Sequence, residues 1–279
     1  MIPAVEADRA EIVAFLTLHA PFAMFPLNNL VKFGMAGGSD LAVTCWLSRK
    51  GGKITDVMTV CDNGMALTFL PSGDYAAALC AMADRAVIGI IGPRDHVRGL
   101  QAAGFAGAPS ALDRDEPHFL LNLDQMVIPD GPGDLRPLAD APRDVMLAWI
   151  TDYEVEGLNT PADRAAARAV TALATCLRRD SHRVLMADGV PLAMTGFNAQ
   201  LPDIVQVGGV YTPPDVRGQG YARRAVALHL AQAAGQGATR ATLFAGSPAA
   251  ARAYQAIGFA RIGEWTMLLF DGPQGQGAA

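Results

Sequence analysis

The sequence predicts an α/β (α+β) chain built from two successive units of one plan, and three observations carry that expectation. With 279 residues, 51% of them hydrophobic, the chain can bury two ordinary cores. Its apolar residues recur with periods that switch between two and 3.6, and Gly- and Pro-rich punctuation separates the runs. An apolar run, a helix pattern and a Gly-Phe pair occur twice in that order, as 87–91 leading to Gly104-Phe105 and as 241–245 leading to Gly258-Phe259. The second half therefore echoes the first. Pro129, Asp130, Gly131, Pro132 and Gly133 mark the linker between domains at 1–128 and 134–279.

Each element follows from local pattern. In the first half, 6–18 has helical spacing, and 41–49, 54–61 and 65–70 read as strands parted by Gly51-Gly52 and Asn63-Gly64 turns. The Ala-rich 74–85 is a helix, 87–91 a short buried strand, 94–103 a helix stopped by Gly104, and 118–123 a strand that closes the unit. In the second half, 135–138 is a strand, 143–156 a helix ended by Gly157, and 162–179 a second helix. Strands 183–187, 192–198 and 204–211 follow, then helix 221–234, strand 241–245, helix 248–257 and strands through Phe270.

Composition excludes several functions. A formal charge of −5 gives no clustered basic surface, so no nucleic-acid partner is expected, and the mild acidity reads as solubility. Cys45, Cys61, Cys80 and Cys176 lack C-x-x-C spacing, which points to buried free thiols with no metal site. The start carries no basic n-region, and Pro, Asn or His cuts every apolar run before bilayer length. No membrane association and a cytoplasmic, reducing setting are the expectations.

The stretch from Val210 to Arg224 joins a strand pattern to a helix through a glycine-bearing turn. Gly218 and Gly220 remove the Cβ atoms that would keep a ligand off the main chain, and the helix behind them aims unpaired N–H groups into the gap. A phosphate-bearing ligand suits it. Such glycine pairs often only relieve strain, and the turn has neither the Lys-Ser or Lys-Thr of a P-loop nor the third glycine of the dinucleotide fingerprint.

Arg217-Gly218-Gln219-Gly220-Tyr221-Ala222 resembles the Q/R-x-x-G-x-G/A acetyl-coenzyme A signature of the GNAT acetyltransferase superfamily. Downstream, the block from Ser247 to Phe259, with Tyr254 and Gly258-Phe259, resembles the family's N-x-x-A-x-x-x-Y-x-x-x-G-F ending. Ser247 stands where Asn is usual; it can cap a helix and offer a hydroxyl, but no amide. The resemblance implies two tandem GNAT-like domains, each a mixed, mostly antiparallel central sheet flanked by helices, the first of them degenerate. It implies transfer of an acetyl group from acetyl-CoA to an amine of a small molecule or peptide, and a homodimer as is common in the superfamily. Val210, Tyr211, Thr212, Arg217, Gly218, Gln219, Gly220, Tyr221, Ala222 and Ser247 are the implied cofactor contacts. Arg223 and Arg224 add positive charge, or simply a solvated helix start. The alternative is a CoA-binding regulatory or sensor protein without transfer activity.

Gly208-Gly209 inside a strand pattern suggests a bulge or a close backbone approach. The resemblance adds that this strand splays from its neighbour and that amides at Gly209, Val210 and Tyr211 polarise the acyl carbonyl. It also makes Tyr254 the donor to the departing sulfur. Ala250, Ala253, Tyr254 and Ile257 share a helix face, a spacing that a plain core tyrosine would also show. Glu156, and Glu154 beside it, are candidates for the base or for attracting a cationic substrate, with a solvated helix end as the competing reading. His229 falls in the packing stripe of its helix and reads as a core histidine. In the first half the corresponding turn, Leu70 to Asp74, has one glycine and an acid that would repel a pyrophosphate, so a scaffold or cleft wall is expected there.

Overall fold

The computed structural model describes residues 1–105 and 110–274. In chain order the elements are β1 (Ile2–Pro3), α1 (Arg9–Leu18), α2 (Ala20–Phe33), β2 (Val43–Lys50), β3 (Lys53–Cys61), β4 (Met65–Phe69), α3 (Tyr75–Met82), β5 (Val87–Pro93), α4 (Arg94–Ala102) and β6 (Ser110–Asn122). They continue as β7 (Asp134–Pro137), α5 (Arg143–Leu158), α6 (Ala162–Arg179), β8 (His182–Ala187), β9 (Val190–Gln200), β10 (Ile204–Tyr211), α7 (Tyr221–Gly235), β11 (Arg240–Phe244), α8 (Pro248–Gln255) and β12 (Ala260–Gln274). Two compact units result: Met1–Glu116 with the chain from Gly263 onward, and Pro117–Ile262.

Unit 1 orders its strands β1-β2-β3-β4-β5-β12, and unit 2 orders its own β7-β8-β9-β10-β11-β6. The pairing pattern is the same in both. The first four strands are mutually antiparallel, the fourth and fifth are parallel, and the sixth is antiparallel to the fifth. Each unit is thus a mixed, mostly antiparallel sheet flanked by helices. The sixth strands are reciprocally exchanged. Although the segment 118–123 reads as the closing strand of the first half, His118–Asn122 pairs with β11, while β12, last in the chain, pairs with β5 through Trp265 to Leu269. Apolar alternation says which face of a strand is buried but not which edge it joins.

Two helices depart from the sequence reading. No helix was expected at 20–33, where Pro21 and Pro26 fall, yet α2 forms there with a kink at Ala23 (φ −120°). Pro21 lies in the first turn of α2, and the kink puts Pro26 in the first turn of the segment behind it, where a missing N–H costs nothing. Gly157 does not end α5; Asn159 does, in the left-handed region at φ 53°. Of the four thiols, Cys45 and Cys61 are buried as expected, but Cys80 is exposed and Cys176 half-buried.

Unit 2 has two packed faces. On one, Val226, Leu230, Tyr254 and Ile257 of the α7 and α8 region cover Val205, Val207 and Leu243. On the other, Met146, Trp149, Ile150 and Leu173 of α5 and α6 cover Val184, Met194 and Tyr211.

Candidate active site

The site is assembled where β10 ends. β10 runs parallel to β11 only from Ile204↔Arg240 to Val207↔Leu243. From Gly208 to Tyr211 it continues beside β9 alone, so the edge that faced β11 loses its strand partner and its alternate amides are left for another acceptor. On the β9 side, Gly208 pairs with Gly196 and Tyr211 with Met194, which inserts one extra residue into β10. This is the bulge that Gly208-Gly209 suggested, with Gly209 at φ +60°. It resets the alternation of side chains. Val205, Val207 and Val210 lie with the α7 and α8 core, whereas Tyr211 joins Trp149 on the α5 and α6 side.

Beyond Tyr211 the chain passes through a short 3-10 turn, Pro214–Val216, and two left-handed glycines, Gly218 at φ 80° and Gly220 at φ 85°. Gly220 is the N-cap of α7 and supplies no side-chain cap. Among the described residues, the amides of Gly218, Gln219, Gly220, Tyr221, Ala222 and Arg223 have no protein acceptor. Burial of Ala225, Val226, Leu230 and Ala233 fixes the axis along which these amides point. A Cβ on Gly218 would meet nothing within 4 Å, so the main chain there is open to a ligand. Thr212 Oγ1, buried at the entrance to the loop, has no partner among the described residues.

Charge is distributed less simply than the sequence suggested. Arg217 donates from Nε to the Thr212 carbonyl at 2.8 Å, ion-pairs with Glu156 at 2.7 Å and lies 5.6 Å from the Tyr211 ring centroid. Arg224 donates to the carbonyls of Pro129, Pro132 and Gly133, at 2.6, 3.2 and 3.2 Å, and so anchors the linker rather than the loop. Arg223 is a cation beside the open amides: its Nε stands 3.0 Å from where a Cβ on Gly220 would be. Tyr221 donates its hydroxyl to Gln219 Oε1 at 2.8 Å, tying the two loop side chains to each other.

The remaining candidates divide. Tyr254 is buried in the core that contains Val207 and Val210, edge-on to Phe259 at 6.1 Å. Ser247 caps α8, its Oγ accepting from the Ala250 amide at 3.1 Å. Glu156 is half-exposed at its ion pair with Arg217, next to the loop. Glu154 is turned toward α6: it is buried, accepts from Thr160 Oγ1 at 2.7 Å and pairs with Arg168 at 2.9 Å. Sequence reasoning passed over Asp152, which accepts the Tyr211 hydroxyl at 3.0 Å. Burial first, and then that carboxylate, push the Tyr211 phenol up to about 12. Asp152 lies one helical turn before Glu156, which is the signal that would have found it. His229 lies stacked on Phe197 at 3.8 Å, with its imidazole pushed down to about 3 by burial, a core residue as read.

Residues 144–259 match the model of the acetyltransferase (GNAT) family. Solved structures share the fold over nearly the whole chain. A GCN5-related N-acetyltransferase from Kribbella flavida is 19% identical, with a TM-score of 0.56 over 91% of this chain and 94% of that one. One from Sphaerobacter thermophilus is 14% identical, with a TM-score of 0.59 over 98% and 96%. A tandem GNAT protein from the clavulanic acid biosynthesis pathway is 14% identical, with a TM-score of 0.53 over 96% of each chain. No curated protein matches the sequence. No described helix is long and apolar enough to cross a membrane.

Proposed function

We propose, from the match of residues 144–259 to the acetyltransferase (GNAT) family, that the chain is an N-acetyltransferase that moves an acetyl group from acetyl-CoA directly to an amine of a small molecule or peptide. The observation that carries this reading is the run of unpartnered amides from Gly218 to Arg223 beside the unpaired edge of β10. The residues present fit the donor. The loop amides and Arg223 would hold the diphosphate, with Gly218 and Gly220 permitting close approach, and Thr212 Oγ1 and the hydroxyl hydrogen of Ser247 offer further polar contacts. Bound acetyl-CoA supplies an activated acyl group and a thiolate leaving group.

The chain's own groups have distinct roles in this reading. Amides along the edge from Gly209 to Tyr211 polarise the acyl carbonyl, which is the largest electrostatic contribution such a site can make. Tyr254 hydrogen-bonds the charge that develops on sulfur as the thiolate departs. Glu156, open to water beside the loop, receives the amine proton through solvent, and its pairing with Arg217 ties α5 to the loop. Glu154, held by Thr160 and Arg168, serves the α5 to α6 turn instead.

Calorimetric titration with coenzyme A and release of free thiol from acetyl-CoA across a panel of amines test the proposal. Wild-type protein is expected to bind and to turn over at least one amine, and Gly220→Asp, which places a carboxylate among the open amides, is expected to abolish binding. No heat of binding and no cofactor stabilisation of the wild type would overturn the reading. Tyr254→Phe separates transfer from sensing: turnover is expected to fall about tenfold or more at unchanged coenzyme A affinity, whereas a sensor without transfer activity shows no turnover to lose.

A further inference from the structure

We propose that His182 is a positioning residue for acyl transfer, a wedge that holds the bulge of β10 in the shape that aims its edge amides. This rests on the acetyltransferase reading above. His182 opens β8 and pairs with Gly196 of β9, and Gly196 pairs in turn with Gly208 of β10. Three neighbouring strands therefore carry histidine, glycine and glycine in one row. The imidazole lies in the space that the glycines leave: a Cβ on Gly196 or on Gly209 would collide with His182 Nε2. Its exposure is only 7%, so the slot is filled.

The ring is also held in orientation. Nδ1 lies 2.9 Å from Ser181 Oγ, and Nε2 lies 3.7 Å from Cys176 Sγ on α6. Glycine reaches φ +60° without steric cost, so nothing local to Gly209 holds the bulge in one shape, and the ring packed against it does. Burial pushes the imidazole down to about 4, so the wedge is neutral at pH 7 and carries no proton for the reaction. What it supplies is shape. The next stretch of chain, Val210 to Tyr211, runs where β11 no longer pairs with β10.

The test compares His182→Ala with His182→Phe in the full chain. It reads coenzyme A affinity, kcat, KM for acetyl-CoA and the backbone amide shifts of Gly209 to Tyr211. For His182→Ala we expect coenzyme A affinity within about threefold of wild type, kcat lower by about tenfold to a hundredfold, and displaced amide shifts. His182→Phe, which refills the slot without a ring nitrogen, is expected to recover most of kcat. Wild-type kcat with unmoved amides in His182→Ala overturns the proposal, as does a matched loss of kcat, cofactor affinity and melting temperature, which would mean general damage. If His182→Ala does not fold, His182→Leu, which fills the slot without a planar ring, is read in the same way: displaced amides with lower kcat support the proposal, and wild-type kcat with unmoved amides overturns it. Should the wild type neither bind coenzyme A nor turn over, the functional reading fails separately, and the amide shifts still decide whether the ring shapes the bulge.

Discussion

Gly209 shows how much one missing side chain decides. Its left-handed φ and the ring of His182 both exclude a Cβ, so Gly209→Ala is expected to cost about 1–3 kcal/mol in chemical denaturation, with the loss concentrated in unit 2. Histidines give a second expectation. Burial pushes His118 and His229 down to about 3 and His182 to about 4. A depressed folded-state value means that the unfolded chain binds protons first, so stability is intact above the unfolded value near 6.5 and declines as pH falls toward the folded values. Urea unfolding at pH 5.5 against 7.5 is expected to show a loss of about 1.4 kcal/mol per buried histidine, hence about 4 kcal/mol for the three. Equal stability at the two pH values would contradict their burial as neutral rings. At this scale the sequence was partly legible. Gly208-Gly209 announced the bulge because only glycine tolerates it, but His182 gave no signal, since nothing local to residue 182 says that two glycines on other strands will leave room for a ring.

Among elements, the contrast between α7 and α3 is the informative one. α7 begins at a bare glycine with open amides, whereas α3 begins at Asp74, whose carboxylate accepts from the Ala77 amide at 3.2 Å, and Asp56 accepts from the Ser72 amide at 2.8 Å. The first unit's turn already spends its amides on its own carboxylates. The junction of α5 and α6 supplies another test: Glu154→Ala strands the buried Thr160 hydroxyl, and is expected to destabilise the fold by about 1–3 kcal/mol while leaving coenzyme A affinity unchanged. A large loss of affinity would return Glu154 to the site. Periodicity found most helices of both halves, and it failed at α2 because two prolines read as breakers when each in fact occupies a first helical turn. It misplaced the end of α5 because Gly157, a common stop, lies within the helix against the Tyr153 ring.

For the whole molecule, the shared strand order of the two units and their unlike turns lead to a stoichiometry. Calorimetry is expected to find one coenzyme A per chain and none after Gly220→Asp; two equivalent sites would show that the turn from Leu70 to Asp74 also binds. The doubled plan could be read from repeated Gly-Phe endings, whereas the exchange of sixth strands could not, because an edge strand's partner is set by geometry far from it in sequence. Cutting at the Pro129 to Gly133 linker would separate β6 from β11 and β12 from β5. Neither half is then expected to be stable alone, while co-expressed halves are expected to reassemble. The exchange also sets an order of events at the ribosome. Although most of the first unit emerges early, the flank of β5 stays bare until β12 has been made, so that unit matures only after the second has been synthesised and its nascent form must be kept from premature pairing in the meantime.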